Sequence, residues 1–400
     1  MLNSLNKFKF KMKKNIAILI ISFLTTSLFS QQDPDYTQLT GGLNTITTAV
    51  PFLMIAPDSR SGGMGDVGVA TSPDANSMHW NPAKMPFLSK DIGVSMSYVP
   101  WLRALVSDIN LSYLSGYKKI DDRQVMGIDM RYFSLGDITF TDVLGTTVGQ
   151  YRPHEFAIST CYSRKLSDKF ALAISGRYIY SNLTGGQMAN GVETFAGQSY
   201  SADLAGYYIS DIRFVGSDFD LAFGGNISNI GAKLSYTETS DRDFLPINMR
   251  LGTSIATDFD EYNSISLAFD INKLLVPTPP IRDNNGDVVL GKEDRDVGIV
   301  SGIFQSFNDA PGGSNEELRE INYSIGSEYW YADQFALRAG YFFEHATKGG
   351  RKFFTFGSGV KYSAFVLDFS YLINASSDVL AGANPLANTM RFTMTWDLGS

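Results

Sequence analysis

The sequence predicts an all-β protein: a 14-stranded antiparallel transmembrane β-barrel preceded by an N-terminal plug segment. Three observations carry this reading. Apolar residues recur at every second position in segment after segment. The connections between those segments alternate between short and long. The longest apolar run, near the start, is too short to cross a bilayer as a helix.

The alternation is cleanest at the end of the chain. Met390, Phe392, Met394 and Trp396 alternate with Arg391, Thr393 and Thr395. A period of two places the first set on one face of a strand and the second on the other. In a barrel the apolar face meets lipid and the polar face lines the lumen. The same pattern recurs upstream. Phe365, Leu367 and Phe369 oppose Asp368 and Ser370, while Met126, Ile128 and Met130 oppose Asp129 and Arg131. The strands are expected at 91–99, 107–118, 123–134, 153–166, 169–182, 199–210, 217–228, 247–258, 262–273, 319–331, 334–345, 351–362, 364–375 and 387–398. Many are about 11–13 residues long, enough to cross a bilayer at a tilt of roughly 45°.

Numbered from the first strand, the even connections are mostly short and polar: Lys119–Asp122, Ser167–Asp168, Asp211–Gly216, Phe259–Glu261, Ala332–Asp333 and Ser363. The odd ones are mostly long: 135–152, 183–198, 229–246, 274–318 and 376–386. Outer-membrane barrels of Gram-negative bacteria have short periplasmic turns and long extracellular loops, an asymmetry with no counterpart in a soluble sandwich. The parity predicts that both termini face the periplasm and that loop 274–318 faces outside. It places barrel residues at 91–400.

Residues 1–30 read as a secretory signal peptide. Lys7, Lys9, Lys11, Lys13 and Lys14 precede the apolar run Ile16–Leu24, and Ser27 and Ser30 follow it. Composition agrees with a barrel. Only 18% of residues are charged, while 28 Phe, 20 Tyr and 37 Gly suit lipid-facing strands and tight turns. The net charge of −8 argues against a nucleic-acid binder. Cys161 is the single cysteine and reads as a packed thiol.

Residues 31–90 show no alternation and are rich in Gly, Pro, Ser and Asp. They are expected to fill the lumen, because the inward strand faces carry charges of both signs. Asp129, Arg131, Arg177, Arg250, Asp270, Arg338, Asp368 and Arg391 are the candidate lumen ion-pair residues. Charges in a narrow interior need partners, and a plug offers them.

Within this segment Gly62-Gly63-Met64-Gly65-Asp66-Val67-Gly68-Val69-Ala70 runs into Ser72-Pro73-Asp74-Ala75 and then the box Trp80-Asn81-Pro82-Ala83. The stretch resembles the plug of the FadL-like barrels, and more closely the PorV family of the Bacteroidetes type IX secretion system. The likeness is specific at 60–100 and generic elsewhere. It implies protein partners, namely a giant outer-membrane translocon and the C-terminal signal domains of secreted substrates. One departure is the C-terminus, where Trp396 is followed by Asp397-Leu398-Gly399-Ser400 and not left as a terminal aromatic.

Catalytic chemistry finds no foothold. Gly63–Gly68 matches a dinucleotide fingerprint, but Pro57 and Pro73 exclude the flanking strand and helix. Asp283–Asp287 begins like a calcium loop, yet Val288 and Asp294 hold the positions of the required Gly and Glu. His79, His154 and His345 lack metal-ligand spacing. No enzyme activity, metal or cofactor is expected.

The connection Pro100–Val106 is apolar although its parity is extracellular. Trp101, Leu102 and Leu105 are therefore candidates for partner contact, with packing under the longer loops as the competing account. Partner contact fits the secretion role implied by the resemblance. The alternative is transport of a small hydrophobic molecule, for which Phe354, Phe356 and Trp330 are expected on the inward face. A general porin would need an open polar lumen.

Overall fold

The computed structural model describes residues 42–102, 106, 108–141, 145–188, 192–214, 216–238, 242–283, 285–375 and 388–399. Contacts divide the chain into Met1–Gly42 and Leu43–Ser400, and the second unit is described below. The signal peptide expected at residues 1–30 lies outside the described residues.

Fourteen antiparallel strands close into a barrel: β1 (Ile92–Pro100), β2 (Asn110–Asp121), β3 (Gln124–Ser134), β6 (His154–Ser167), β7 (Phe170–Asn182), β8 (Gly197–Phe214), β9 (Ser217–Gly231), β10 (Asn248–Asp258), β11 (Asn263–Leu274), β14 (Asn322–Tyr331), β15 (Phe335–Phe343), β16 (Lys352–Tyr362), β17 (Phe365–Asn374) and β18 (Met390–Leu398). Each expected strand is present within a few residues. Two small hairpins, β4–β5 (Ile138–Thr141, Thr147–Tyr151) and β12–β13 (Ile281–Arg282, Val288–Leu290), decorate long connections. β1 pairs with β18 from Ile92↔Leu398 to Tyr98↔Phe392, so no sheet edge is left open to lipid. Among the described residues no helix is long and apolar enough to cross a membrane.

The period-2 pattern becomes a two-faced wall. Met96, Ile128, Ile174, Ile325, Leu367, Phe392 and Trp396 point outward and are exposed. Their neighbours Ser95, Asp129, Ser175, Ser324, Asp368, Arg391 and Thr395 point inward and are buried. A charge moved to the outer face at mid-membrane would cost roughly 2–4 kcal/mol, so the register of every strand is held by its alternation.

The short turns use left-handed backbone. Ala332 and Asp333 between β14 and β15 have φ of 53°, and Ser363 between β16 and β17 has φ of 54°. Positive φ lets a tight hairpin match the strand twist. The long connections gather at the other end. The largest, 275–321, carries helices Ile299–Gln305 and Ser314–Arg319. Buried ion pairs clamp it down: Lys273 Nζ to Glu320 (2.6 Å) and Glu317 (3.1 Å), and Lys348 Nζ to Glu316 (2.6 Å) and Glu320 (3.0 Å).

Asp309 sits beneath this clamp. Its Oδ2 accepts from Thr278 N at 3.2 Å and its Oδ1 has no partner. Burial, with Glu317 and Glu320 nearby, raises its carboxyl from 3.8 to about 6. The folded loop thus binds this proton more tightly than the unfolded chain does. The stability it contributes is present below pH 4 and is lost as pH rises through about 6. Asp309→Asn is expected to remove that dependence and slow protease cleavage of the loop several-fold at pH 7. Unchanged cleavage rates between pH 4 and 7 in the parent chain would contradict this.

Candidate functional site

The site is the lumen and the segment within it. Val50 to Leu88 pack against the inward strand faces, in short helical turns at Pro51–Met54, Ser59–Gly62, Ser77–Trp80 and Pro82–Phe87. Pro51, Pro82 and Pro86 favour such turns and keep the segment from adding a strand. Asp58 caps the Ser59 helix, its Oδ2 accepting from Ser61 N (2.9 Å) and its Oδ1 from Trp80 Nε1 (2.6 Å).

The N-terminus itself lies outside the described residues, and the described part of the segment has a clear direction. Asn44 donates through N to Thr347 O (2.9 Å) and through Nδ2 to Glu316 (3.0 Å), both in long connections. β1 begins on the short-turn side, where Lys119 N donates to Asp91 O (2.8 Å). The segment therefore runs the length of the barrel. The described chain starts at the long-connection end, while β18 finishes at the short-turn end.

Glycines let backbone meet backbone. Gly65 has φ of 73°, and a Cβ there would lie 2.7 Å from Tyr341 N. A Cβ on Gly340 would lie 2.0 Å from Met64 C. The Gly-rich motif is thus a contact strip against β14–β16, which accounts for glycines otherwise resembling a nucleotide loop.

The charged residues join segment to wall. Arg60 forks onto Glu328 with Nε at 2.9 Å and Nη2 at 2.7 Å, and its Nη1 reaches Asp74 at 3.0 Å. Glu328 also accepts from Arg338 Nε (2.6 Å), whose Nη1 reaches Asp368 (2.7 Å). Arg391 pairs with Asp66 at 3.3 Å. Arg177 pairs with Asp203 at 2.8 Å and bonds Asn229.

The other expected ion-pair residues have mainly neutral partners. Arg131 donates to Leu53 O (2.6 Å) and Phe52 O (3.1 Å) and meets His79 Nδ1 at 2.7 Å. Arg250 donates to Asn272 at 2.6 Å and lies 4.4 Å over the Trp80 ring. Asp270 accepts from Gly68 N (2.8 Å) and Val69 N (3.0 Å). Asp129 accepts from Tyr113 OH at 3.3 Å. For Arg131 and Asp270 the partners are the segment's free backbone groups, unpaired in any sheet, and for Arg250 and Asp129 they are side chains of neighbouring strands.

The Trp80–Ala83 box is buried at the centre of this seam. Asn81 Nδ2 donates to Val69 O (2.8 Å) and to Gly206 O (3.0 Å), and its Oδ1 accepts from Ala83 N (3.0 Å). Pro82 opens the following turn. Asp58, Arg60, Asp66 and Lys84 were not among the sequence candidates. Lys84 Nζ is buried and donates to Gly68 O (2.7 Å) and Thr71 Oγ1 (3.1 Å). The available signal was their isolation: single charges in an otherwise small, uncharged stretch.

Two aromatic assignments change. Phe354 and Phe356 face outward, 49% and 53% exposed, so they line no inner pocket. Phe353 takes the inward place and stacks on Phe342 at 4.8 Å. The consecutive aromatics of Phe353-Phe354-Thr355-Phe356 hide the parity from sequence. Thr355 settles it, because its Oγ1 accepts from Gly65 N at 2.7 Å inside the barrel. Trp330 does face inward, beside Arg338. Trp101 and Leu102 are half-buried against Phe342, Phe353 and Leu372 at the outer mouth. Leu105 lies outside the described residues. Cys161 is buried, 3.7 Å from Met85 Sδ. Among the described residues no three His, Cys, Asp or Glu side chains gather to hold a metal, and Asp283 closes its own turn on Asn285 N and Asp287 N, both 2.9 Å.

Between Met54, His79, Arg131 and Arg250 the segment leaves a cavity of about 20 Å³, room for a single water; at the long-connection end, beside Ile46, the gap lined by Glu344, Lys348 and Arg351 is about 220 Å³.

Several solved barrels are similar to this chain. The CymD monoaromatic hydrocarbon channel is 13% identical, with a TM-score of 0.46, covering 88% of this chain and 100% of that one. The Pseudomonas putida toluene transporter TodX is 11% identical, with a TM-score of 0.49, covering 86% and 99%. A Pseudomonas aeruginosa FadL homologue is 10% identical, with a TM-score of 0.44, covering 88% and 99%. No curated protein matches the chain. The family described as type IX secretion system protein PorV matches residues 38–281, more than half the chain, from the lumen segment through β11. With its closed, lipid-faced wall and its filled interior, the chain belongs to the PorV family of the type IX secretion system and resides in the outer membrane.

Proposed function

We propose that this barrel binds the translocon of the type IX system and the C-terminal signal domains of secreted proteins, and carries those proteins to the surface attachment machinery. The supporting observation is the lumen. Segment 49–88 threads the barrel and is tied to the wall by ion pairs and backbone contacts, leaving a cavity of about 20 Å³ on its path. A barrel so filled works through its rim and outer surface more readily than through its pore. The segment then serves as a plug, and the rim includes the half-buried Trp101 and Leu102. The outward placement of Phe354 and Phe356 removes aromatics that the hydrophobic-transport reading needed.

Purification from native membranes in mild detergent tests the reading. The parent chain is expected to co-purify with a giant barrel protein and with secreted substrates. The triple variant Trp101→Ala, Leu102→Ala, Leu105→Ala should retain less than about a tenth of that material, as expected when anchor residues of an interface are truncated. Its heat-modifiable gel mobility should stay that of a closed barrel. Unaltered co-purification of the triple variant would remove the rim contact. A parent chain that captures neither class would remove the secretion role.

A further inference from the structure

The long connection 275–321 is amphipathic in an unusual direction. Within helix Ile299–Gln305, Ile299 and Ile303 pack toward Phe244, Ile247 and Leu275. Gly302 is buried there, and a Cβ on it would lie 2.8 Å from Phe244 Cζ. The opposite face carries Val300 and Phe304, 66% and 73% exposed, and the stripe continues to Phe307 one turn on. Spacings of four and then three keep these on one side. Leu318, on the neighbouring helix, is 61% exposed. Single exposed apolar residues need no account, but a contiguous set does.

This set runs into a groove of about 200 Å³ lined by Met249, Ile271, Phe307, Leu318 and Ile321, with Lys273 at its edge. Met249 and Ile271 share strand parity with Leu251 and Phe269, which are outward-facing and exposed. The groove is therefore the upper end of the lipid-facing wall of β10 and β11, roofed by the loop. The Lys273 ammonium is held by Glu317 and Glu320 at its polar end, where a lipid headgroup region would begin.

We infer that this groove receives an acyl chain of the outer leaflet, and that Val300, Phe304, Phe307 and Leu318 lie in the membrane interface, so that the loop is anchored on lipid. Continuity with the lipid-facing wall selects this occupant. An apolar helix face at the headgroup boundary gains free energy by burial among acyl chains. The loop that shapes the outer rim is thereby held low against the bilayer, on the side of β10, β11 and β14.

Spin labels in the full chain test the inference. With Cys161→Ala as background, labels are placed at Phe304→Cys, Leu318→Cys and, as a water-facing control, Asn285→Cys at the exposed β12–β13 turn. The purified protein is reconstituted alone into phosphatidylethanolamine–phosphatidylglycerol vesicles. Collisions with oxygen, which partitions into acyl chains, are compared with collisions with a water-soluble nickel chelate. Labels at 304 and 318 are expected to favour oxygen several-fold over the control label. Labels that match the control would overturn lipid anchoring. Labels that match the control in vesicles but become shielded on adding the translocon would overturn it in favour of a protein occupant.

Discussion

Gly340→Leu is expected to convert a silent barrel into a conducting one. The Gly340 Cα faces the Met64–Gly65 peptide so closely that a Cβ would sit 2.0 Å from Met64 C and 2.2 Å from Gly65 N. Both obstacles are backbone, so no rotamer change relieves them. The added side chain must push the lumen segment off β15, and the Arg60 and Arg391 ion pairs with it. Overpacking of even a methylene costs roughly 1–3 kcal/mol, and here a whole side chain has no volume to occupy. Single-channel steps in planar bilayers, absent from the parent chain, are the expected readout. Gly176→Leu is the control: that position faces outward with no atom within 4 Å of its Cβ. A Gly340→Leu chain that stays silent, with residues 43–88 as protease-resistant as in the parent, would show that the segment does not hold the lumen closed.

The second large effect is expected from Arg60→Ala. Arg60 is the only segment residue that bonds Glu328 among the described residues, and it does so with two parallel hydrogen bonds. Removing it leaves the buried Glu328 to share Arg338 with Asp368 and leaves Asp74 without its guanidinium. Deleting one partner of a buried pair costs about 3–5 kcal/mol, because the remaining charge stays desolvated. Chemical denaturation in detergent should show a loss of that order. Arg60→Lys should not restore it, since an ammonium cannot reproduce the fork. Arg60→Met with Glu328→Gln should recover much of it by removing both charges. A double variant no more stable than Arg60→Ala would shift the explanation from charge to packing.

The barrel was legible because its physics is local. A strand between lipid and lumen must alternate, and Met390-Arg391-Phe392-Thr393 records that with nothing else known. Connection lengths record the asymmetry of the two ends in the same way. Parity became ambiguous only where both faces carry bulk. At Phe353-Phe354-Thr355-Phe356 the decision came from Gly65, 290 positions away in sequence.

The candidate site was legible in composition and hidden in pairing. Sequence named Arg338, Asp368 and Arg391 as lumen residues and Trp80–Ala83 as a box, but nothing local says that Arg391 meets Asp66 or that Arg131 meets the Phe52 and Leu53 carbonyls. Such partners are chosen by where an unpatterned segment lies in three dimensions, and that segment has no period to read. The sequence by itself determined an outer-membrane barrel, its strand count and the faces of most strands, because each follows from the contrast of lipid and lumen at neighbouring positions. Only the tertiary structure decided that the lumen segment runs from the far mouth to β1, that its glycines abut the wall and that the first outer connection folds inward at Trp101 and Leu102. Those outcomes rest on backbone groups and side chains far apart in the chain, whose contacts exist only once the barrel has closed around them.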